Sequence, residues 1–296
     1  LTLAILAQGV FAQHTSPDFD TKVLLRDVET LSADDMEGRA IGTPGIERAR
    51  AFLLKRFAKI RLRSFDGGYL RRFEYKGRMI GANIVGYIQG SRQPDKYIVV
   101  TAHYDHIGIR LGQVHNGADD NASGTAALLA MAEYFGKNRP GNSIVFAAFD
   151  GEEDKLRGSR NFVAEPPVDL RSVIVNVNLD MISRNVKNEL YAVGTRYYPA
   201  LRPYLEQAAT GAGVKLLFGH DGGPKSGEDW TEQSDHYPFH KKRIPFVYFG
   251  VEDHPDYHKP TDDFANIDRA FYIEAVEVVL DTVKLFDKNL TSTEKK

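Results

Sequence analysis

Two short, near-continuous apolar stretches, Ser143 to Phe149 and Val173 to Leu179, constrain the fold of this chain most. Each is too short for a buried helix and too apolar for a strand with one wet face. Each therefore reads as a strand covered on both sides, the habit of parallel sheets. Asn83 to Gln89 and Tyr97 to Ala102, rich in β-branched and aromatic residues, add two strands, with GSRQPD between them as a turn, and Pro245 to Phe249 adds another. Helical periodicity appears at Thr43 to Ile60, with Pro44 in the first turn and Ile46, Ala49, Leu53 and Phe57 on one face. It appears again at Ser123 to Phe135 and at Asp268 to Phe286. Strands that alternate with helices predict an α/β chain with a largely parallel sheet and helices on both faces. No break in composition marks a second domain.

Composition removes whole classes of function. The 296 residues carry a net charge of -2, with basic and acidic side chains interspersed, so nothing favours nucleic acid or an anionic membrane as partner. There are no cysteines, which excludes disulfides, thiolate metal sites and a cysteine nucleophile. A zinc site here must be built from His, Asp and Glu, a donor set that suits catalytic zinc. Residues 1–12, LTLAILAQGVFA, are apolar but shorter than the roughly 20 residues that span a bilayer. They read as the remnant of a secretory signal peptide, with Val10 and Ala12 as the small residues before cleavage. This predicts an exported protein, periplasmic or secreted, with no membrane anchor once the signal is removed. The folded domain is expected over residues 18–290.

In open α/β sheets ligands bind beyond the carboxyl ends of the strands, and five motifs fall in such places. TAHYDH puts His103 and Asp105 after one strand; a carboxylate near a ligating His can hold its second ring nitrogen. NGADDNASG sets Asp119, Asp120 and Asn121 before a helix. One of them serves as an N-cap, but consecutive carboxylates repel unless a cation lies between them. FDGEEDKLRGS brings Glu152 and Glu153 after a buried strand, one suited to bind metal and the other to act as a free base. The plain alternative is an acidic loop capping the helix near Gly158. NLDM ends an apolar strand on Asp180, which needs a partner, either a metal or Arg184. DYHKPTDD carries His258 in a turn-like stretch. Singly each is ambiguous. Together they supply His, Asp, Glu, Asp and His at one edge of a sheet. Two Zn²⁺ ions would be balanced by Asp120, Glu153, Asp180 and a bridging hydroxide.

The ordered set TAHYDHIG, NGADDNASGTAALL, FAAFDGEEDKLRGS, VNLDMIS, SDHYPFHKKRIPFVYF and DYHKPTDD resembles the M28 family of zinc aminopeptidases, as does the earlier LSADDMEGRAIGTPGIERA. The resemblance runs from about Asp18 to the last helix. It implies a single-domain α/β/α sandwich of zinc-peptidase type with a mixed sheet. It implies one zinc on His103 and Asp180, a second on Glu153 and His258, and Asp120 bridging them, with Co²⁺ or Mn²⁺ as possible substitutes. It further implies Glu152 as general base, Asp105 as the partner of His103, and Tyr257 as a phenol that stabilises the transition state. The substrates implied are the N-termini of peptides or proteins. The chain departs from the family pattern at Asp154 and Lys155, where many members have small or apolar residues.

Two alternatives accompany this reading. A glutaminyl cyclase shares the scaffold, but such relatives alter GADDN and carry Trp before the last His, where this chain has Tyr257. A non-catalytic binding module should have lost a ligand or Glu152, and none is missing. The chain has no Walker loop, no G-x-S-x-G and no H-E-x-x-H. Phe218, Trp230, Phe239 and Tyr248 are candidates for pocket walls, each with the core as its plainer destination.

Overall fold

The computed structural model describes residues 15–222 and 228–290. The apolar segment 1–12, expected as a signal-peptide remnant, lies outside the described residues. The strands in chain order are β1 (Leu70–Tyr75), β2 (Arg78–Ile88), β3 (Gln93–His103), β4 (Gly108–Arg110), β5 (Gln113–His115), β6 (Asn142–Phe149), β7 (Val173–Leu179), β8 (Glu189–Val193), β9 (Lys215–Phe218) and β10 (Phe246–Gly250). The helices are α1 (Thr21–Leu31), α2 (Pro44–Ile60), α3 (Gly124–Lys137), α4 (Arg157–Ala164), α5 (Arg202–Ala208), α6 (Tyr237–Lys241) and α7 (Arg269–Asn289).

Eight strands form one sheet in the order β1-β2-β6-β3-β7-β10-β8-β9, while β4 and β5 pair apart from it. The inner strands β6, β3, β7 and β10 run parallel. The two apolar stretches that suggested buried strands are β6 and β7, every residue of which is buried. The sheet is largely parallel as expected, with antiparallel pairs β1–β2, β2–β6 and β8–β10 toward its flanks. The first of these pairs is closed by Lys76 and Gly77, both at positive φ (49° and 74°), as a two-residue hairpin turn requires. The sheet is mixed, as the resemblance implied. The expected turn GSRQPD is shorter than expected, because β3 already begins at Gln93.

Side chains alternate between two cores, as the pleat demands. Ile98, Val100, Ile144, Phe146 and Ala148 face the larger core, which contains residues of α1, α2, α3 and α7. Val99, Val145, Ala147 and Phe149 face the smaller one, with Phe162 of α4 and Phe239 of α6. Helix α2 follows its sequence pattern: Thr43 caps it, its hydroxyl accepting from the Ile46 N–H at 3.4 Å, and Ile46, Ala49, Leu53 and Phe57 are fully buried. Each of its large apolar side chains contributes about 1.5–3 kcal/mol by burial. Helix α7 is capped by Asp268, which accepts from the Ala270 and Phe271 N–H groups. This double cover holds the carboxyl ends of β3, β6, β7 and β10 side by side.

Candidate metal centre

His103 closes β3, and Asp180 follows the last residue of the adjacent parallel strand β7. Neighbouring parallel strands end together, and His103 Nε2 lies 3.1 Å from Asp180 Oδ1. Asp120 enters from the irregular turn Ala118–Ser123 ahead of α3, with Oδ1 3.4 Å from His103 Nε2. Its other oxygen, Oδ2, turns to a second group, 3.1 Å from His258 Nε2 and 3.5 Å from His106 Nδ1. Glu153, on the loop after β6, completes that group, 3.2 Å from His258 Nε2 and 2.7 Å from His106 Nδ1. His103, Asp120 and Asp180 form one cluster that could hold a metal ion, and His106, Asp120 and Glu153 form a second.

The donor set fits divalent metal. Ligands around a tetrahedral zinc with bonds of about 2.0–2.1 Å lie about 3.3 Å apart, close to most of these spacings. Among the described residues, both ring nitrogens of His106 and one oxygen of Glu153 are buried without a hydrogen-bond partner. Buried polar groups are normally paired, so these atoms are arranged for something that is not a protein group.

The surrounding chain fixes this arrangement. The Asp105 carboxylate accepts from the backbone N–H groups of Glu152 (3.1 Å) and Glu153 (3.4 Å) and so pins the GEE loop to the end of β3. Its carboxylate is 3.6 Å from His103 Nδ1, while its backbone oxygen is closer, at 3.1 Å. Asp262 accepts from the backbone N–H groups of Asp119 and Asp120 at 2.9 and 3.1 Å, which anchors the Asp120 turn. The Ser234 hydroxyl donates to Asp180 Oδ2 at 2.6 Å and accepts from Asn178, a residue of the sheet itself. Arg39 is wholly buried and donates to four backbone carbonyls, those of Leu31, Tyr104, Asn116 and Gly117. It thereby ties the loop after β3 to the segment that leads into Asp120.

The electrostatics divide the paired glutamates. Burial, reinforced by Asp180, Asp235 and Glu153 against the pull of His103, pushes the Glu152 carboxyl well above its usual range. Burial also acts on Glu153, but the adjacent His106 and His258 imidazoles outweigh it and hold that carboxyl well below. His258 moves up to about 10 because Asp120 and Glu153 overcome its partial burial. Glu152 Oε2 lies 4.0 Å from His103 Nε2, at the edge of the first cluster.

The structure thus brings His103, Asp120, Glu153, Asp180 and His258 together, with Glu152 beside them. The Tyr257 ring stacks on His258 with centroids 3.9 Å apart. Burial and the charges of Asp120, Asp180 and Glu153 push its phenol upward, so it remains a proton donor. Of the plainer readings of these motifs, two fail and the helix cap holds for one residue. Arg184 pairs with Asp256, not with Asp180. Helix α4 has no side-chain cap, so Glu152 and Glu153 do not serve it. In the Asp119–Asp120–Asn121 run it is Asn121 that caps, its Oδ1 accepting from the Gly124 N–H at 2.9 Å. Asp119 points away, to Ser183 and to His254 at 3.1 Å. Asp154 lies 3.8 Å from Arg157, and Lys155 is exposed.

Sequence reasoning did not find His106, Arg39, Asp262 or Asp235. His106 had a visible signal, since it lies in the same TAHYDH stretch as His103. Asp235 is buried, and its carboxyl is pushed up to about 7 by burial and the nearby Asp105 and Asp180 charges, against the pull of His103 and Ser159. Among the aromatic candidates, Phe239 is core and Phe218 is half-buried. Trp230 and Tyr248 cluster beside the site; the Tyr248 phenol, buried, is pushed up further by Asp180 and Glu152.

Two His–carboxylate clusters that share one aspartate thus lie at the strand ends of an α/β/α sandwich, a donor set of the kind that holds metal ions in hydrolases. The sequence matches the description of Peptidase family M28 over residues 83–283, and the chain belongs to that family. It is 28% identical over 260 residues to the aminopeptidase YwaD of Bacillus subtilis (strain 168), an alignment that takes in 83% of this chain and 52% of that protein. The chain therefore spans about half the length of that relative. Its fold resembles a zinc aminopeptidase from Bacillus subtilis (TM-score 0.71, 19% identity, 94% of this chain and 98% of that one). It also resembles the Porphyromonas gingivalis glutaminyl cyclase (TM-score 0.75, 20% identity, 90% and 99%).

Proposed function

We propose that this chain is a zinc aminopeptidase that removes N-terminal residues from peptides or proteins at a two-metal site. The observation that carries this reading is Asp120, whose two carboxylate oxygens face two different clusters, His103–Asp180 on one side and Glu153–His258 on the other. A pair of bound zinc ions would supply Lewis acidity and a nucleophile available near neutral pH. The remaining steps belong to the protein. Glu152, whose carboxylate lies at the edge of the first cluster, accepts the proton of the attacking water and returns it to the leaving amine nitrogen. Tyr257, held as a neutral phenol, donates to the developing oxyanion. The carboxylates of the site provide the negative surroundings that a substrate's free α-amino group requires, which favours cleavage at the chain terminus. Export, supported by the apolar segment 1–12, would place the enzyme among extracytoplasmic peptides.

Glu152→Gln keeps size and polarity but cannot carry the proton. It should lower turnover of an aminoacyl p-nitroanilide by at least about 10²-fold while leaving the metal content unchanged. Near-normal turnover would remove Glu152 from this role. The fold likeness to a glutaminyl cyclase supplies the second reading. Tyr257 before His258 and the two complete clusters favour hydrolysis. Cyclisation of an N-terminal glutaminyl peptide, without release of residues from aminoacyl substrates, would reverse this choice.

A further inference from the structure

We propose that His106 is a metal ligand, the fourth protein donor of the position formed by Asp120, Glu153 and His258. The inference rests on the two-metal reading and adds a residue to it. His106 is buried, and neither ring nitrogen has a hydrogen-bond partner among the described residues. Leaving such atoms unpaired is costly, and a folded protein normally avoids it. The ring is not adrift. It packs against Gly117, where an added Cβ would come within 2.6 Å of it, and Gly117 leads directly into the Asp120 turn. The packing directs Nδ1 at the carboxylates, 2.7 Å from Glu153 Oε1 and 3.5 Å from Asp120 Oδ2. The Glu153 contact is short, yet it does not meet the geometry of a hydrogen bond. Both atoms belong to the cluster of His106, Asp120 and Glu153 that could hold a metal ion. His258 meets the same two carboxylates from the other side, at 3.1 and 3.2 Å.

The consequence is an asymmetric pair of positions. The one at His103 has Asp120 and Asp180 as its other protein donors. Three donors leave a position open, as catalytic zinc requires. The other would have His106 with Asp120 and Glu153, and His258 against the same two carboxylates, one protein donor more than the first. His106 would then make the second ion the more tightly held of the pair.

Cobalt(II) titration of the apoprotein tests this without reference to activity. The wild-type protein should bind two equivalents. His106→Ala and His106→Asn should still bind one tightly and lose at least about 10²-fold affinity for the other, a ligand mattering at least as much as the outer partners whose loss costs 10–100-fold. The absorption bands of the weakened cobalt should change, and millimolar imidazole should restore them in the Ala variant. Two equivalents bound by a folded variant with wild-type affinity and spectrum would overturn the assignment. Fewer than two equivalents bound by the wild type would instead overturn the two-metal reading beneath it. Should neither variant fold, proton NMR of the dicobalt wild-type protein decides. Three hyperfine-shifted imidazole N–H resonances support His106 as a ligand beside His103 and His258, and two refute it.

Discussion

Arg39 carries the sharpest test of how the centre is held. Its guanidinium is fully buried and donates to the backbone oxygens of Tyr104 (2.9 Å), Leu31 (2.5 Å), Asn116 (2.6 Å) and Gly117 (2.9 Å). Burial lowers its pKa to about 10, and Asp120, Asp262, Asp105 and Glu153 limit that fall, so it stays charged at neutral pH. Arg39→Met preserves much of the volume and orphans the four carbonyls. At about 1–3 kcal/mol per unpaired buried group the gross loss is about 4–12 kcal/mol. Releasing the guanidinium from its own desolvation returns several kcal/mol. The net expectation is a loss of about 3–5 kcal/mol, the range seen when a buried charge network is broken. Against a typical stability of 5–15 kcal/mol, that leaves the variant marginal. Arg39→Lys should recover little, because one nitrogen cannot serve acceptors on three separate segments. Urea unfolding of the metal-free proteins measures the loss, and cobalt titration should show weaker binding wherever the variant stays folded. A loss below about 1 kcal/mol for Arg39→Met would refute the view that this side chain fixes the loops around the metal centre.

Two further outcomes follow from particular positions. Burial of His236 between Phe246 and Tyr248 lowers its pKa from the ordinary 6.5 to about 3. Because the native value lies below the unfolded one, stability is complete above about pH 6.5 and falls as the pH drops. Between pH 7 and 5 the unfolded chain takes up a proton that the native state refuses, a loss of about 2 kcal/mol. Urea midpoints should show that His236→Asn, whatever its absolute stability, loses about 2 kcal/mol less over the same interval; an unchanged slope would contradict this. Gly45 lies in the first turn of α2, where Ala would ordinarily stabilise a helix by up to about 1 kcal/mol. Here a Cβ would sit 2.0 Å from the Met36 carbonyl oxygen, so Gly45→Ala should destabilise by more than about 1 kcal/mol. A rise in melting temperature would show that the close approach is not real.

The site was legible where several chemical types recur after strands. His103, Asp120, Glu153, Asp180 and His258 lie in five separate motifs, and their conjunction was the signal. Its supports were not legible. Asp262 acts on the Asp120 turn across more than a hundred residues of chain, and Arg39 acts through backbone carbonyls, which leave no trace in residue type. His106 lies in the same motif as His103, but spacing alone does not say which imidazole faces the carboxylates. The flanking strands were missed for a similar reason: β8 and β9 are short, and half of the latter's neighbours are absent at the sheet edge, so their apolar pattern is weak.

Local character determined which segments became strands and helices. The apolar runs of β6 and β7 admit only a doubly covered strand, and Thr43 and Asp268 start their helices by their own hydrogen bonds. The donor types, His with carboxylates and no thiolate, were likewise settled by composition. Tertiary structure alone decided which oxygen of Asp120 faces which histidine, and which of two adjacent glutamates is held ionised. Those outcomes depend on ångström-scale distances between loops brought together by the sheet, and electrostatic interactions in a dry interior change steeply over such distances.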